Sequence, residues 1–316
     1  MTGRLYIDGS DAYQQYGVYV TEGGWNGLVS MPPMKAVESN DWQEEDGVEA
    51  DLSAPRLDTR EVSVTLAFRD ADGLTRLVEL LSGGSYHDFD CASIGRKYRL
   101  RMTQVPNLDI ARTLGTATLK LADDFPMQDY TYEPPEGGVP ACGEYMIDGV
   151  PASDYGLLVL QGTLAEIMRP AAVKPNMLRN ISTLPGAIYD GKTVTFKTKD
   201  VRLKCLMRAE TLAGLWKNYD ALLHNLIQPE ERLLTVAELA QDFPFYYKSC
   251  QVTEFCPDGR PWLALTLTLA FTGLFRIESD IVLAAEDGAI LTDEGGGNAF
   301  DMEADAESGQ QNTIQT

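Results

Sequence analysis

The same short phrase stands twice in this chain. Residues 5–20 read LYIDGSDAYQQYGVYV, and residues 145–159 read YMIDGVPASDYGLLV. Ile7-Asp8-Gly9 matches Ile147-Asp148-Gly149 at an offset of 140, and Tyr16-Gly17 matches Tyr155-Gly156 at 139. Each copy reads as a short strand, an Asp-Gly turn, a polar loop and a Tyr-Gly pair leading into a second strand. Gly accepts positive φ and Asp tolerates it, so the dipeptide suits a tight reversal.

The correspondence continues along the chain. VSVTLAFR (Val62 to Arg69) and VRLKCLMR (Val201 to Arg208) keep the offset of 139 and alternate apolar with polar residues, as half-buried strands do. Each precedes an amphipathic helix, with Leu74, Leu77, Leu80 and Leu81 on one face in the first and Leu212, Leu215, Trp216, Tyr219, Leu222 and Leu223 in the second. TATLKLA (Thr116 to Ala122) then matches ALTLTLA (Ala264 to Ala270) at an offset of 148, which places the extra residues after the second helix, between Asn225 and Pro244.

Order, spacing and chemistry agree, so the chain reads as a tandem duplication. The predicted fold class is α+β, mostly antiparallel β, with one helix packed on each copy. The expected boundaries are a first domain at 1–128, a Pro/Gly linker at 129–143 and a second domain at 144–276. A β-hairpin at 277–294 and a flexible acidic tail at 295–316 complete the chain.

Charge narrows the function. Twenty-six Lys and Arg oppose 47 Asp and Glu, a net charge of −21. Gripping nucleic acid depends on neutralising phosphates, so such a chain is a poor nucleic-acid binder. No apolar run is long enough to span a bilayer, and the N-terminus lacks the layout of a signal peptide, so assembly in the cytoplasm is expected. The five scattered cysteines read as reduced thiols, four of them in or next to apolar or strand-like stretches.

Catalytic signatures are missing. His224 reads as a packed helix residue. His87, near Asp88, Asp90 and Cys91, reads as a loop tip whose spacing fits no zinc pattern. No nucleophile elbow, phosphate loop or H-E-x-x-H motif occurs. The expectation is therefore no catalytic, cofactor or metal residue. The acidic run Asn40 to Asp51 reads as an exposed loop, and Trp42 with Glu44, Glu45 and Asp46 is the candidate contact surface.

The opening phrase, followed by DWQEEDGVEADLSAPRLDTREVSVTLAF, resembles the N-terminal belt domain of distal tail proteins from long-tailed bacteriophages and prophages. Those also open with an I-D-G turn and a Y-G strand and continue through a long D-W loop into an Arg-led strand, here at Arg60. The resemblance spans about residues 4–125 and, through the repeat, 144–276. NISTLPGAIYDGKTVTF replaces the D-W loop in the second half.

The resemblance implies a tail-tube-like β-sandwich or split barrel in each copy. It implies a structural ring of six chains, or of three with pseudo-sixfold symmetry, joining tail tube to baseplate and adsorption apparatus. The implied location is a virion tail assembled in the host bacterial cytoplasm. The implied partners are the tail tube, tape measure and tail-tip hub proteins, with DNA as a passing, unbound cargo and no membrane. The alternatives are a trimeric baseplate hub protein and, in another class, a carbohydrate-binding or carbohydrate-cleaving β-protein.

Overall fold

In a computed structural model, residues 2–111, 114–141, 145–175, 178–180, 182–183, 185–189, 194–273, 298–300 and 313–315 are described. Two seven-stranded antiparallel sheets dominate, and both lie in one compact unit, Met1–Leu274.

The first sheet contains β1 (Tyr6–Ile7), β2 (Ser10–Asp11), β3 (Val18–Val20), β6 (Arg60–Phe68), β7 (His87–Cys91), β8 (Arg96–Ala111) and β9 (Leu114–Asp123). Its order is β2-β1-β7-β8-β9-β6-β3. Helix α1 (Ala12–Tyr16) joins β2 to β3, and α2 (Ala71–Leu81) joins β6 to β7. A small hairpin, β4 (Ser39–Asn40) with β5 (Glu49–Ala50), stands in the long connection before β6.

The second sheet contains β10 (Tyr145–Ile147), β11 (Val150–Pro151), β12 (Leu157–Val159), β15 (Lys199–Arg208), β16 (Arg232–Val236), β17 (Gln241–Cys256) and β18 (Trp262–Phe271). The order is β11-β10-β16-β17-β18-β15-β12, the same as in the first sheet once strands are matched by position in each half. A 3₁₀ turn at Ala152–Tyr155 takes the place of α1, α3 (Thr163–Met168) follows β12, and α4 (Leu212–Leu226) takes the place of α2. The hairpin β13 (Leu178–Asn180) with β14 (Ala187–Tyr189) occupies the place of β4–β5. The different sequence there still yields the same pairing, Leu178 opposite Tyr189 where the first half sets Ser39 opposite Ala50.

Registers match as well as order. Val18 faces Phe68 and Leu157 faces Met207; Arg60 faces Asp123 and Lys199 faces Phe271. In each half one long strand serves two neighbours, β8 pairing β7 through Arg96–Cys91 to Leu100–His87 and then β9, and β17 doing the same with β16 and β18. Each long strand breaks register twice; the first break falls at the same place, between Met102 and Gln104 in β8 and between Tyr247 and Ser249 in β17, whereas the second falls between Gln104 and Asn107 in one and between Val252 and Glu254 in the other. Such bulges bend a strand and increase its twist, which curls each sheet.

Alternation supplies the core. Val62, Val64, Leu66 and Phe68 of β6 are buried, with Leu119 and Leu121 of β9, under Leu74, Leu77 and Leu81 of α2. The second core uses Val201, Leu203, Cys205 and Met207 of β15, alternate leucines of β18, and Leu215, Leu222 and Leu226 of α4. Leu80, expected on the apolar face of α2, is exposed. Asp70 and Thr211 cap the two helices, each side chain accepting backbone N–H groups of the first turn.

The extra residues of the second half do not lie between Asn225 and Pro244, as the sequence suggested; two stand just before α4, where Asp70 and Thr211 cap the two helices at an offset of 141. Helix α4 has 15 residues against 11 in α2, and the β17–β18 connection is longer than the turn between β8 and β9. A helix absorbs one more turn without disturbing strand register, since four residues are close to one helical repeat.

The segment at 129–143 is pinned rather than loose over its described residues. The buried Asn218 of α4 accepts from Glu136 N at 2.7 Å and donates to Gly137 O at 2.6 Å, while Lys217 pairs with Glu136. The expected hairpin at 277–294 lies outside the described residues. In the second compact unit, Phe275–Thr316, β19 (Asn298–Phe300) pairs antiparallel with β20 (Thr313–Gln315), within the stretch read from sequence as a flexible tail.

Candidate functional site

The two repeated turns come first, because their backbone dictates their sequence. Asp8 and Asp148 have φ of 49° and 51°, followed by Gly9 and Gly149 at 77° and 76°, the double positive φ that favours Asp-Gly. Each Asp carboxylate reaches across to the next strand, Asp8 accepting from Asp88 N and Asp148 from Leu233 N, both at 2.9 Å. The second oxygen of each finds a basic side chain at the strand start: His87 Nδ1 at 2.7 Å and Arg232 at 3.3 Å. His87 is therefore a buried strand residue bonded to the turn, not a loop tip. Tyr16 and Tyr155 precede Gly17 and Gly156, which end their helical turns in the left-handed conformation.

A second matched pair anchors the loops above each sheet. The buried Arg60 donates to Leu28 O and Ser30 O, each at 3.0 Å, and to Asp123 at 2.7 Å. Lys199, at the same position of the second half, donates to Ile167 O and Arg169 O. Burial alone would lower the Arg60 pKa; the Asp123 carboxylate and the Tyr98 and Tyr219 hydroxyls around it raise it instead.

The acidic loop is held by the other half of the chain. Lys174, 3% exposed, donates to Trp42 O at 2.6 Å and Glu45 O at 2.7 Å and pairs with Asp41 at 2.6 Å. Thr195 Oγ1 donates to Gln43 O, and the Asp46 carboxylate accepts from Phe196 N at 2.8 Å. Gly47 N donates to Phe196 O, and any Cβ at Gly47 would collide with Thr272 O. Of the four contact candidates, Asp46 is thus engaged inside the chain, whereas Trp42, Glu44 and Glu45 present their side chains to solvent. Trp42 is 52% exposed and donates from Nε1 to Glu49 at 3.2 Å.

This docking belongs to a larger contact that sequence reasoning missed. The segment from Asn26 to Met34 runs along β17 and α4. Asn26 donates to Thr253 O at 2.9 Å, and Val252 N donates to Ser30 Oγ at 3.0 Å. Tyr219 donates to Val29 O at 2.6 Å, Tyr247 to Pro32 O at 2.9 Å, and Met34 N to Lys248 O at 2.9 Å. Beside it, Arg96 makes a two-pronged ion pair with Asp220, 2.8 and 2.7 Å, over the ring of Trp216, whose Nε1 donates to Ile94 O at 2.6 Å. The sequence signal was the aromatic density of α4, which has more large side chains than one core face requires.

At the edge of this contact lies a cavity of about 930 Å³, lined by Tyr13, Tyr19, Trp25, Phe255 and Trp262 together with Glu254 and Asp258. Among the described residues no group of three His, Cys, Asp or Glu is placed to hold a metal ion, and no helix is long and apolar enough to cross a membrane. Cys91, Cys205 and Cys250 are buried free thiols, their pKa values pushed up by burial to about 12 or beyond; Cys256 is a partly exposed free thiol, and Cys142 lies outside the described residues. His224 packs at a tilt against the rings of Tyr130 and Tyr132.

No protein-family model and no curated protein matches the sequence. Among solved structures, the chain is similar to the crystal structure of SPP1 Dit (gp 19.1), described as a paradigm of the hub adsorption apparatus in phages infecting Gram-positive bacteria. The likeness has a TM-score of 0.29 and 13% sequence identity, over 84% of this chain and 97% of that one.

Proposed function

We propose that this chain is a non-enzymatic structural protein of a phage or prophage tail tip, built from two copies of one domain. Its role is to form a ring that joins the tail tube to the baseplate or adsorption apparatus and lets DNA pass. The observation that carries the reading is the pair of sheets that share strand order, most of their register and the first bulge of the long strand, joined by an extensive internal contact. A chain built from like modules in contact is suited to a closed cyclic assembly, which also covers sheet edges. The sequence resemblance to belt domains of distal tail proteins supplies the biological setting. The net charge of −21 suits a channel wall that repels phosphates and does not bind them.

In this reading the neighbours are tail tube, tape measure and hub proteins, and the site of action is the virion tail. Electron microscopy of the purified protein at high concentration tests it. Rings with a central opening wide enough for duplex DNA are expected, with no DNA retention in a filter assay at physiological salt. A protein that stays monomeric alone and with its genomic neighbours is not this component.

The aromatic cavity supports a second reading, glycan binding, because aromatic rings beside carboxylates suit sugar rings. Glycan-array binding lost in Trp262→Ala, from a protein that forms no rings, would favour it.

A further inference from the structure

The contact between the two halves joins unlike surfaces. The first half offers its loop from Asn26 to Met34 and the corner at Ile94 to Arg96; the second half offers the bulged part of β17 and the outer face of α4. No residue position serves on both sides of these bonds. The contact is therefore head to tail, the kind that repeats rather than closing on itself. One loop surface, in the second half, and one strand-and-helix surface, in the first, are left over in each chain.

The left-over surfaces have the composition of an interface without a partner. Val29, Met31 and Pro32 are buried against the second half, Val29 and Met31 at 1% and 2% exposure. Their counterparts by register are Met168, Pro170 and Ala171; Met168 is 41% exposed and Pro170 is also exposed. Met34, half-buried and bonded to the bulge residue Lys248, corresponds to Val173, which is 53% exposed. On the receiving side, the bulge residue of β8 is Thr103, exposed beside Gln104 at an open groove of about 490 Å³. Lys35 is exposed where its counterpart Lys174 is buried under the hairpin of the other half.

We propose that the Met168–Val173 surface of one chain docks head to tail on the Thr103 bulge and the outer face of α2 in a second copy of this chain, which brings the β13–β14 hairpin over Lys35. The contact continues between chains the one already made within each chain. It rests on the reading of two copies of one domain in a ring-forming protein, and it adds which faces meet. Exposed apolar side chains at Met168 and Val173 are covered by it, as their counterparts are covered inside the chain.

Site-directed cross-linking tests it. Val173→Cys and Thr103→Cys are made separately in full-length protein carrying Cys142→Ser and Cys256→Ser, with different tags, and co-expressed. Mild oxidation is expected to give a band at twice the chain mass containing both tags, absent when either variant is expressed alone. Met34→Cys with Lys248→Cys in one chain is the geometric control and gives an intramolecular link.

Rings seen by microscopy without the mixed cross-link overturn the docking and leave the ring reading standing. Val173→Cys linking to itself shows like faces meeting and also overturns it. Cross-linked open filaments with no rings uphold the docking and sink the ring. Monomers at every concentration overturn both. As a second readout, Val173→Asp is expected to shift assemblies to single chains in sedimentation while leaving the thermal midpoint unchanged; assemblies that persist overturn the proposal.

Discussion

Arg60 and Lys199 stand at the same place in the two halves, each the first residue of its long strand and each holding two carbonyls of the loop above. The loop geometry needs a cationic donor there and accepts either kind. What differs is the surroundings. Arg60 also pairs with Asp123 and is buried beneath the contact between halves, whereas the residue opposite Lys199 is Phe271 and its ammonium is half-covered. The comparison teaches that the backbone plan fixes the type of group at a position, while the neighbour lying over it fixes how much depends on that group.

The largest expected effect tests that difference directly. Arg60→Met strands a largely covered carboxylate and two carbonyls, and should cost about 3–5 kcal/mol. Lys199→Met removes bonds to carbonyls that water can reach, and should cost about 1–2 kcal/mol. Urea unfolding of both variants measures the gap; equal losses would show that the extra partner of Arg60 contributes nothing.

Next is the approach of helix to turn. A Cβ at Gly73, in the first turn of α2, would collide with the carbonyl oxygen of Tyr16. Gly214 holds the same place in α4, where no backbone atom is close and the nearest atoms, 3.2 Å away, are the free end of Glu136 and the capping Oγ1 of Thr211. Gly73→Ala should therefore destabilise by about 2–3 kcal/mol through overpacking. Gly214→Ala should be neutral or stabilising by up to about 1 kcal/mol, from helix propensity. Thermal midpoints moving in opposite directions would sharpen the comparison; parallel losses would break it.

Much of this is legible in the sequence. Offsets of 139 and 140 located the turns and the long strands, because residues at those positions are dictated by backbone: positive φ at Asp8-Gly9, a left-handed stop at Gly17, strict alternation in β6. The length change in α4 was misplaced, because an added helical turn leaves no mark on the flanking strands. His87 was misread because its partner, Asp8, is remote in sequence and its counterpart is an arginine. The contact loop was misread in part for the same kind of reason. Its acidic residues look solvated, and nothing local reveals that Lys174 and Phe196 lie beneath them.

Lys174 and Lys35 give a smaller effect. Lys174→Met leaves the Trp42 and Glu45 carbonyls to find water at a partly open loop, so about 1–2 kcal/mol of chain stability should be lost. Lys35→Met should leave single-chain stability unchanged, because that side chain is exposed there. Chemical unfolding of the monomeric Val173→Asp background separates the two; a comparable loss at Lys35 would mean that it already has a structural role inside the chain.

The smallest effect concerns the turns themselves, and it depends on pH. Burial acts to raise the Asp8 pKa, but the hydrogen bond from His87, with that from Asp88 N, outweighs it and holds the carboxyl below its ordinary 3.8. A carboxyl depressed in the folded state adds stability above its unfolded pKa and loses it as the pH falls through the folded value. Asp8 is largely solvated, so screening keeps the contribution small, under about 1 kcal/mol at neutral pH. Wild type should exceed Asp8→Asn by this small margin at pH 7, and the two unfolding curves should converge as the solution is acidified below the carboxylate range. In an NMR titration, His87→Gln should move the Asp8 carboxyl upward, since the largest lowering influence is gone. His87→Arg, which writes the second half's pairing into the first, should keep it low. An Asp8 carboxyl that titrates alike in all three proteins would mean that the turn is held by its backbone bonds alone.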